Sequence, residues 1–111
     1  MTLKALTQLE QVVVRGAMRA TLDFFDWDFS TRMGIEISSM RQLLESWPEI
    51  DDADDNSDAC LAINNAMNEW LHGIGVSDKK SLAQLGVNRT EVMRIYEKWA
   101  ASRGWKSTGV R

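Results

Sequence analysis

The sequence is poor in the residues that build most catalytic and metal sites. Its 111 residues include one cysteine, Cys60, and one histidine, His72. One cysteine excludes an internal disulfide framework and favours a reducing, cytoplasmic compartment. Nucleophile–base pairs usually need a histidine, and one histidine with one cysteine cannot close a zinc site without carboxylates. With no phosphate-cradling glycine loop either, the sequence predicts a protein that is not an enzyme and uses no metal or cofactor.

Long hydrophobic runs are also missing. The first ten residues carry no basic region followed by an apolar run, and Val12–Val14 is interrupted by Arg15. A secretory leader needs the first feature, and a membrane helix needs about 20 apolar residues. We therefore expect no membrane partner and a cytoplasmic location.

No stretch shows the alternation of apolar and polar residues that is typical of a β-strand. Apolar residues recur instead at helical spacing throughout. The first such stretch predicts one helix reaching about Phe25, capped by Thr7 with Glu10. Gly16 lies inside this helix and is tolerable if another helix packs closely there. The aromatic residues after it, in 26–30, are predicted to fill the core from a loop or short turn. The sequence predicts an all-α bundle of four to five helices in a single domain, residues 1–111.

Two fifteen-residue segments, 33–47 and 85–99, repeat one pattern. They align without a gap and share three identities, Gly34/Gly86, Glu45/Glu97 and Trp47/Trp99. Each has a glycine suited to a left-handed helix end, followed by an amphipathic helix. This pattern predicts an internal duplication, helix–loop–glycine turn–helix, with halves at about 11–48 and 60–104. Two similar helices that solve the same burial problem are the alternative.

Helix boundaries follow from local signals. Asn88 is a predicted N-cap with Glu91 as its reciprocal partner, and Ser77 and either Ser57 or Asp58 cap two further helices. Pro48 is expected to stop the helix of the first segment. The tryptophans on apolar stripes are predicted to be core residues: Trp47, Trp70 and Trp99.

Residues 49–58 carry six acids and no base. Asp52, Asp54 and Asn56 alternate as in a calcium loop, but the sixth position of that frame is not glycine and the twelfth is Ile63. We interpret the stretch as an exposed acidic connection between the halves. The charge of the whole chain is unevenly distributed, with a net charge of −9 over residues 1–78, which include this stretch, and +6 over 79–111. A dipolar chain of this kind can steer a charged partner or a second copy of itself.

The segment 81–94, SLAQLGVNRTEVMR, has a short helix, a Leu–Gly–Val turn and a polar cap that leads into a second helix. It resembles the helix-turn-helix of bacterial DNA-binding proteins. The resemblance implies that 81–103 forms a DNA-binding surface. Its predicted base contacts are Asn88, Arg89, Thr90, Met93 and Arg94, and its predicted phosphate contacts are Arg103, Lys106 and Arg111. Leu82 stands where the first helix of such motifs usually has a small residue.

A protein partner, or self-association, is the preferred hypothesis. The matching segment 33–47 has Arg41 as its only base, so the glycine turn has a structural interpretation in both places. Tryptophan, methionine and arginine are enriched in interface cores. The predicted interface residues are the acids Asp51, Asp52, Asp54 and Asp55 and the two tryptophans off the stripes, Trp27 and Trp105. An acidic helical protein of this size can act as an inhibitor or adaptor, or mimic nucleic acid; duplex DNA is the second choice of partner.

Overall fold

The computed structural model of the protein describes residues 3–74 and 76–104, which form helices and turns without a strand. The predicted all-α class is therefore confirmed. Its α-helices are α1 (Gln8–Phe24), α2 (Phe29–Met33), α3 (Ile37–Ser46), α4 (Asp58–Asn68), α5 (Asp78–Leu85) and α6 (Arg89–Ser102). A 3₁₀ turn at Leu3–Ala5 precedes α1, and a π-helical turn at Glu69–Gly73 continues α4. The helices in this part of the chain outnumber the predicted four to five, because α2 is too short to show a helical period.

The helix starts carry the side-chain caps that the sequence predicts. Thr7 Oγ1 accepts from the Glu10 backbone N–H at 3.1 Å, and Glu10 Oε1 accepts from the Thr7 backbone N–H at 2.8 Å. Asn88 Oδ1 accepts from the Glu91 N–H at 3.0 Å. The carboxylate of Glu91, predicted to close a reciprocal cap, instead accepts from Arg94.

The remaining caps are serines. Ser57, the first of the two predicted alternatives, caps α4, and Ser77 caps α5. The end of α3 is also where the sequence places it, since Ser46 is its last residue and Pro48 follows in a cis peptide bond with Trp47. Local signals therefore place five of these helix ends correctly.

Helix α4 lies at the centre and packs against α1, α2, α3 and α6. Trp70 and Trp99 are buried as predicted, whereas Trp47 is only partly buried at the edge of the core. In the aromatic stretch after α1, Phe29 fills the core but Trp27 does not. Only one of these two aromatic residues therefore meets the expectation that they fill the core.

The two glycine turns have the same backbone. Gly34 and Gly86 have φ values of 72° and 77°, and the N–H of each bonds to the carbonyl four residues earlier. Each turn joins a short helix to a longer one. This shared geometry agrees with the aligned pattern, and the internal duplication itself stays a prediction.

Gly16 marks a close approach of α1 and α5. A Cβ atom at this position would lie 2.5 Å from Leu85 Cδ2. The predicted reason for a glycine inside α1, a closely packed second helix, is therefore confirmed.

Candidate functional site

Segment 81–94 forms α5, the glycine turn and the start of α6. Ser81 is fully buried; its hydroxyl donates to the Val87 carbonyl at 2.7 Å and accepts from Trp70 Nε1 at 3.4 Å. Leu82, at the position where a helix-turn-helix usually has its small residue, is 53 % exposed. The small residue that docks α5 therefore stands one position earlier, at Ser81.

The arginines predicted to contact DNA are engaged within the chain. Arg94 pairs with Glu10 at 2.7 Å and with Glu91 at 2.6 Å. The guanidinium of Arg89 donates to the carbonyl of Leu71. Both are thus held by groups that a phosphate would have to displace.

Arg103 requires a correction. Its side chain is only 2 % exposed, and its guanidinium donates to the Asp52 carbonyl and pairs with Asp55 at 2.6 Å. A guanidinium buried by the acidic segment cannot contact a phosphate. The other predicted DNA contacts are exposed at Asn88 and Thr90 and partly buried at Met93. Lys106 and Arg111 lie outside the described residues.

The acidic segment is anchored and not a free connection. Asp52 is 3 % exposed, and its Oδ2 accepts from Trp99 Nε1 at 2.9 Å and lies 3.8 Å from the Arg103 guanidinium. This placement corrects the expectation that Asp52 belongs to an exposed patch. Asp55 is half-exposed but paired with Arg103. The segment is thus fixed to α6 by a buried hydrogen-bond network.

Two predicted acids of this segment do face solvent. Asp51 Oδ1 accepts from the Ala53 N–H at 3.0 Å, and Asp54 Oδ1 accepts from the Asn56 N–H at 2.8 Å. Such contacts stabilise tight turns through the side chain of the first residue. Only Asp51 and Asp54 of the four predicted acids are therefore exposed without an ion pair to a described residue.

A second charged cluster joins the two ends of the chain. Glu10, on α1, is 7 % exposed and receives Arg94 at 2.7 Å and Lys98 at 2.7 Å from α6. The hydrogen bond from Lys98, followed by those from Thr7 and Arg94, lowers the pKa of Glu10 from 4.5 to about 2. The basic face of α6 is thus largely matched by acids of the same molecule.

Glu10→Gln is expected to lower stability at pH 7 by on the order of 2 kcal/mol. The depressed pKa means that the unfolded chain binds more protons between about pH 5 and 2, so the contribution of Glu10 is complete above this window and disappears as the pH falls through it. Glutamine keeps the capping oxygen but loses the charge.

Urea unfolding between pH 2 and 7 measures this effect. The wild-type and Glu10→Gln curves should converge toward pH 2. A Glu10→Gln curve parallel to the wild type over the whole range would contradict the assignment.

Trp27 is the most exposed large apolar side chain in the described part of the chain, at 91 %. It lies in the short loop between α1 and α2. In the residues that flank it in the chain, the guanidinium of Arg32 stacks over the Phe25 ring at 4.8 Å and pairs with Asp28 at 2.8 Å; Arg32 also pairs with Glu69 at 3.3 Å. We call these residues, 25–28 with Arg32 and Glu69, the Trp27 surface. The sequence identified Trp27 by its position off the apolar stripes; Trp105 lies outside the described residues.

A groove between α1 and α3 was not predicted. Its cavity measures about 420 Å³, and three arginines line it: Arg15, Arg19 and Arg41. The spacing of Arg15 and Arg19, one helical turn apart, is a signal in the sequence, but the position of Arg41 beside them depends on how α1 and α3 pack.

The residues that the sequence considered for metal or nucleophile chemistry are apart from each other. Cys60 is buried in the core and His72 is exposed. Within residues 3–74 and 76–104, no group of three His, Cys, Asp or Glu side chains is placed to hold a metal ion. No helix in the same residues is long and apolar enough to cross a membrane. The chain matches no protein-family model, no curated protein sequence and no solved structure.

Proposed function

We propose that this protein is a non-enzymatic binding protein whose Trp27 surface docks into an apolar pocket of a protein partner. The observation that carries the proposal is the 91 % exposure of the Trp27 side chain. Burying an aromatic side chain removes on the order of 200 Å² of surface from water and stabilises the fold. The exposed Trp27 indole does not make this contribution. Tryptophan is also the residue most enriched among those that dominate binding energy.

The surroundings of Trp27 support a docking role because they are held in place before binding. Phe25 and the Arg32 guanidinium form a stacked pair, and two carboxylates fix Arg32, one from the residue just before α2 and one from the π-helical turn. The guanidinium of Arg32 is charged at all ordinary pH values, and its partners Asp28 and Glu69 raise its pKa further. An apolar anchor with a polar rim is the arrangement of protein interfaces, and a fixed rim reduces the entropy lost on binding.

The DNA-binding alternative has less support. Arg89, Arg94 and Arg103 are all held by carbonyl or carboxylate groups of the chain. A phosphate contact by Arg94 would require its ion pairs to open. Titration of a labelled mixed-sequence duplex at low and moderate salt is expected to be flat, since even non-specific binding would appear at low salt.

Trp27→Ala is expected to weaken partner binding by roughly 30-fold, or about 2 kcal/mol, without changing the fold. Stability should remain near the wild-type value because the side chain is exposed. The control is Leu82→Ala, which truncates another exposed apolar residue, on α5.

Affinity capture with the three proteins, followed by calorimetry with the purified captured protein, provides the measurement. A partner bound by the wild type and by Leu82→Ala but lost with Trp27→Ala supports the proposal. Equal affinity of all three proteins for that partner would contradict the proposal. The predicted cytoplasmic location stays a prediction of the sequence.

A further inference from the structure

The groove between α1 and α3 brings three guanidinium groups to one cavity. Arg15 and Arg19 lie one turn apart on α1, and Arg41 comes from α3. The cavity of about 420 Å³ lies within the range of small-molecule sites, roughly 300–1,000 Å³.

Arg15 is fixed by the end of α3. Its Nη2 donates to the carbonyl of Leu44 at 3.2 Å, in the last turn of the helix. Carbonyls of a last helical turn lack a partner within the helix. One of the five guanidinium N–H groups is thus used for positioning.

The other two arginines are weakly matched by acids. Arg19 lies 3.8 Å from Asp23, and both side chains are more than half exposed, at 56 % and 74 %. Such pairs contribute little. Arg41 makes no ion pair with a described residue, in contrast to the close pairs of Arg32 and Arg94.

We propose that this groove binds a small organic anion with at least two negative charges, such as a phosphate ester or a dicarboxylate. Guanidinium groups match the oxygens of phosphate and carboxylate in pairs of parallel hydrogen bonds. Three guanidinium groups around one cavity can bind two anionic groups of one ligand. Leu22 and Leu44 line the same cavity and supply contacts for the apolar part of the ligand.

Two acids, Asp23 and Glu45, also line the groove. They leave the lining with one net positive charge in the absence of ligand. Their carboxylates can accept hydrogen bonds from ligand hydroxyl groups. They also repel a ligand that carries negative charge along its whole length. The binding of a small anion is therefore favoured over that of an extended polyanion.

The test uses the full chain with inorganic pyrophosphate and citrate as probes, in calorimetry at low and moderate salt. We expect at least one probe to bind the wild type, more weakly at moderate salt. Arg41→Gln and Arg19→Gln should each weaken binding by about tenfold or more. The matched control is Lys79→Gln, which removes one exposed positive charge on α5, outside the groove.

The outcomes separate the possibilities. Binding of pyrophosphate alone assigns a phosphate ligand, binding of citrate alone assigns a polycarboxylate, and either supports the site if the two arginine variants lose it and Lys79→Gln keeps it. No binding of either probe, or equal loss in Lys79→Gln, overturns the proposal. Because Trp27 does not line the groove, Trp27→Ala should bind the probe like the wild type, so this proposal and the Trp27 surface stand or fall separately.

Discussion

Asp52→Ala is expected to lower the free energy of unfolding by about 2–3 kcal/mol, a large part of the total stability of a small domain. The substitution removes the acceptor of the buried Trp99 indole N–H and a buried negative charge beside the Arg103 guanidinium. The Arg103 guanidinium keeps Asp55 and the backbone carbonyls of residues 52 and 53, so the lost hydrogen bond between the buried Trp99 N–H and a charged acceptor accounts for most of the effect.

Chemical denaturation followed by tryptophan fluorescence measures this change. Asp54→Ala is the matched control, since it makes the same substitution at an exposed acid of the same segment. The control should lose about 1 kcal/mol or less, the worth of one exposed turn hydrogen bond. Equal losses for the two variants would show that the Asp52 network contributes nothing specific.

Trp70→Ala is expected to destabilise the protein more, by about 3–5 kcal/mol. Trp70 is 1 % exposed, its ring centroid lies 6.1 Å from that of Phe24, and its indole N–H donates to Ser81. The side chain thus joins the π-helical turn to α1 and α5. Alanine leaves a cavity between three elements that rigid helices cannot close.

Thermal unfolding followed by circular dichroism tests this prediction, with an expected drop in Tm of more than about 10 °C. Trp27→Ala is the control, because it deletes the same side chain at an exposed position. Its Tm should match the wild type. A Trp70→Ala protein as stable as Trp27→Ala would contradict the packing described for the π-helical turn.

The Asp52 network also determines how a partner of the acidic segment must be sought. Charge reversal at Asp52 or Asp55 breaks contacts with Arg103 and disturbs the fold, so a loss of binding would have no clear meaning. Asp51 and Asp54 face solvent, and their variants test the surface itself. Lysine at either position reverses the charge without removing a buried group.

The sequence predicted the helices well where their signals are local. The caps at Thr7 and Asn88 join residues three positions apart, so the sequence of a few neighbouring residues is enough to predict them. The short helix α2 was missed because five residues cannot display a period of 3.6. Gly16 was correctly read as a close approach, although its partner Leu85 was not predicted.

The candidate surfaces were predicted less well, for a physical reason. Asp52 and Arg103 are ordinary charged residues in the sequence, and nothing nearby marks them as buried. Their burial depends on a contact between residues 51 positions apart. Trp27 had two conflicting predictions, one as an aromatic residue of 26–30 that fills the core and one as an interface residue off the apolar stripes, and its 91 % exposure excludes the first.

By itself, the sequence determined the all-α class, five helix ends and the burial of Trp70 and Trp99, since each follows from spacing over a few residues. The tertiary structure alone decided which charges remain on the surface. Arg94 meets Glu10 across 84 positions, and Arg41 joins the α1 arginines only through the packing of α1 and α3. Electrostatic pairing depends on the distance between charges in space. The sequence pattern does not give this distance for residues that are far apart in the chain.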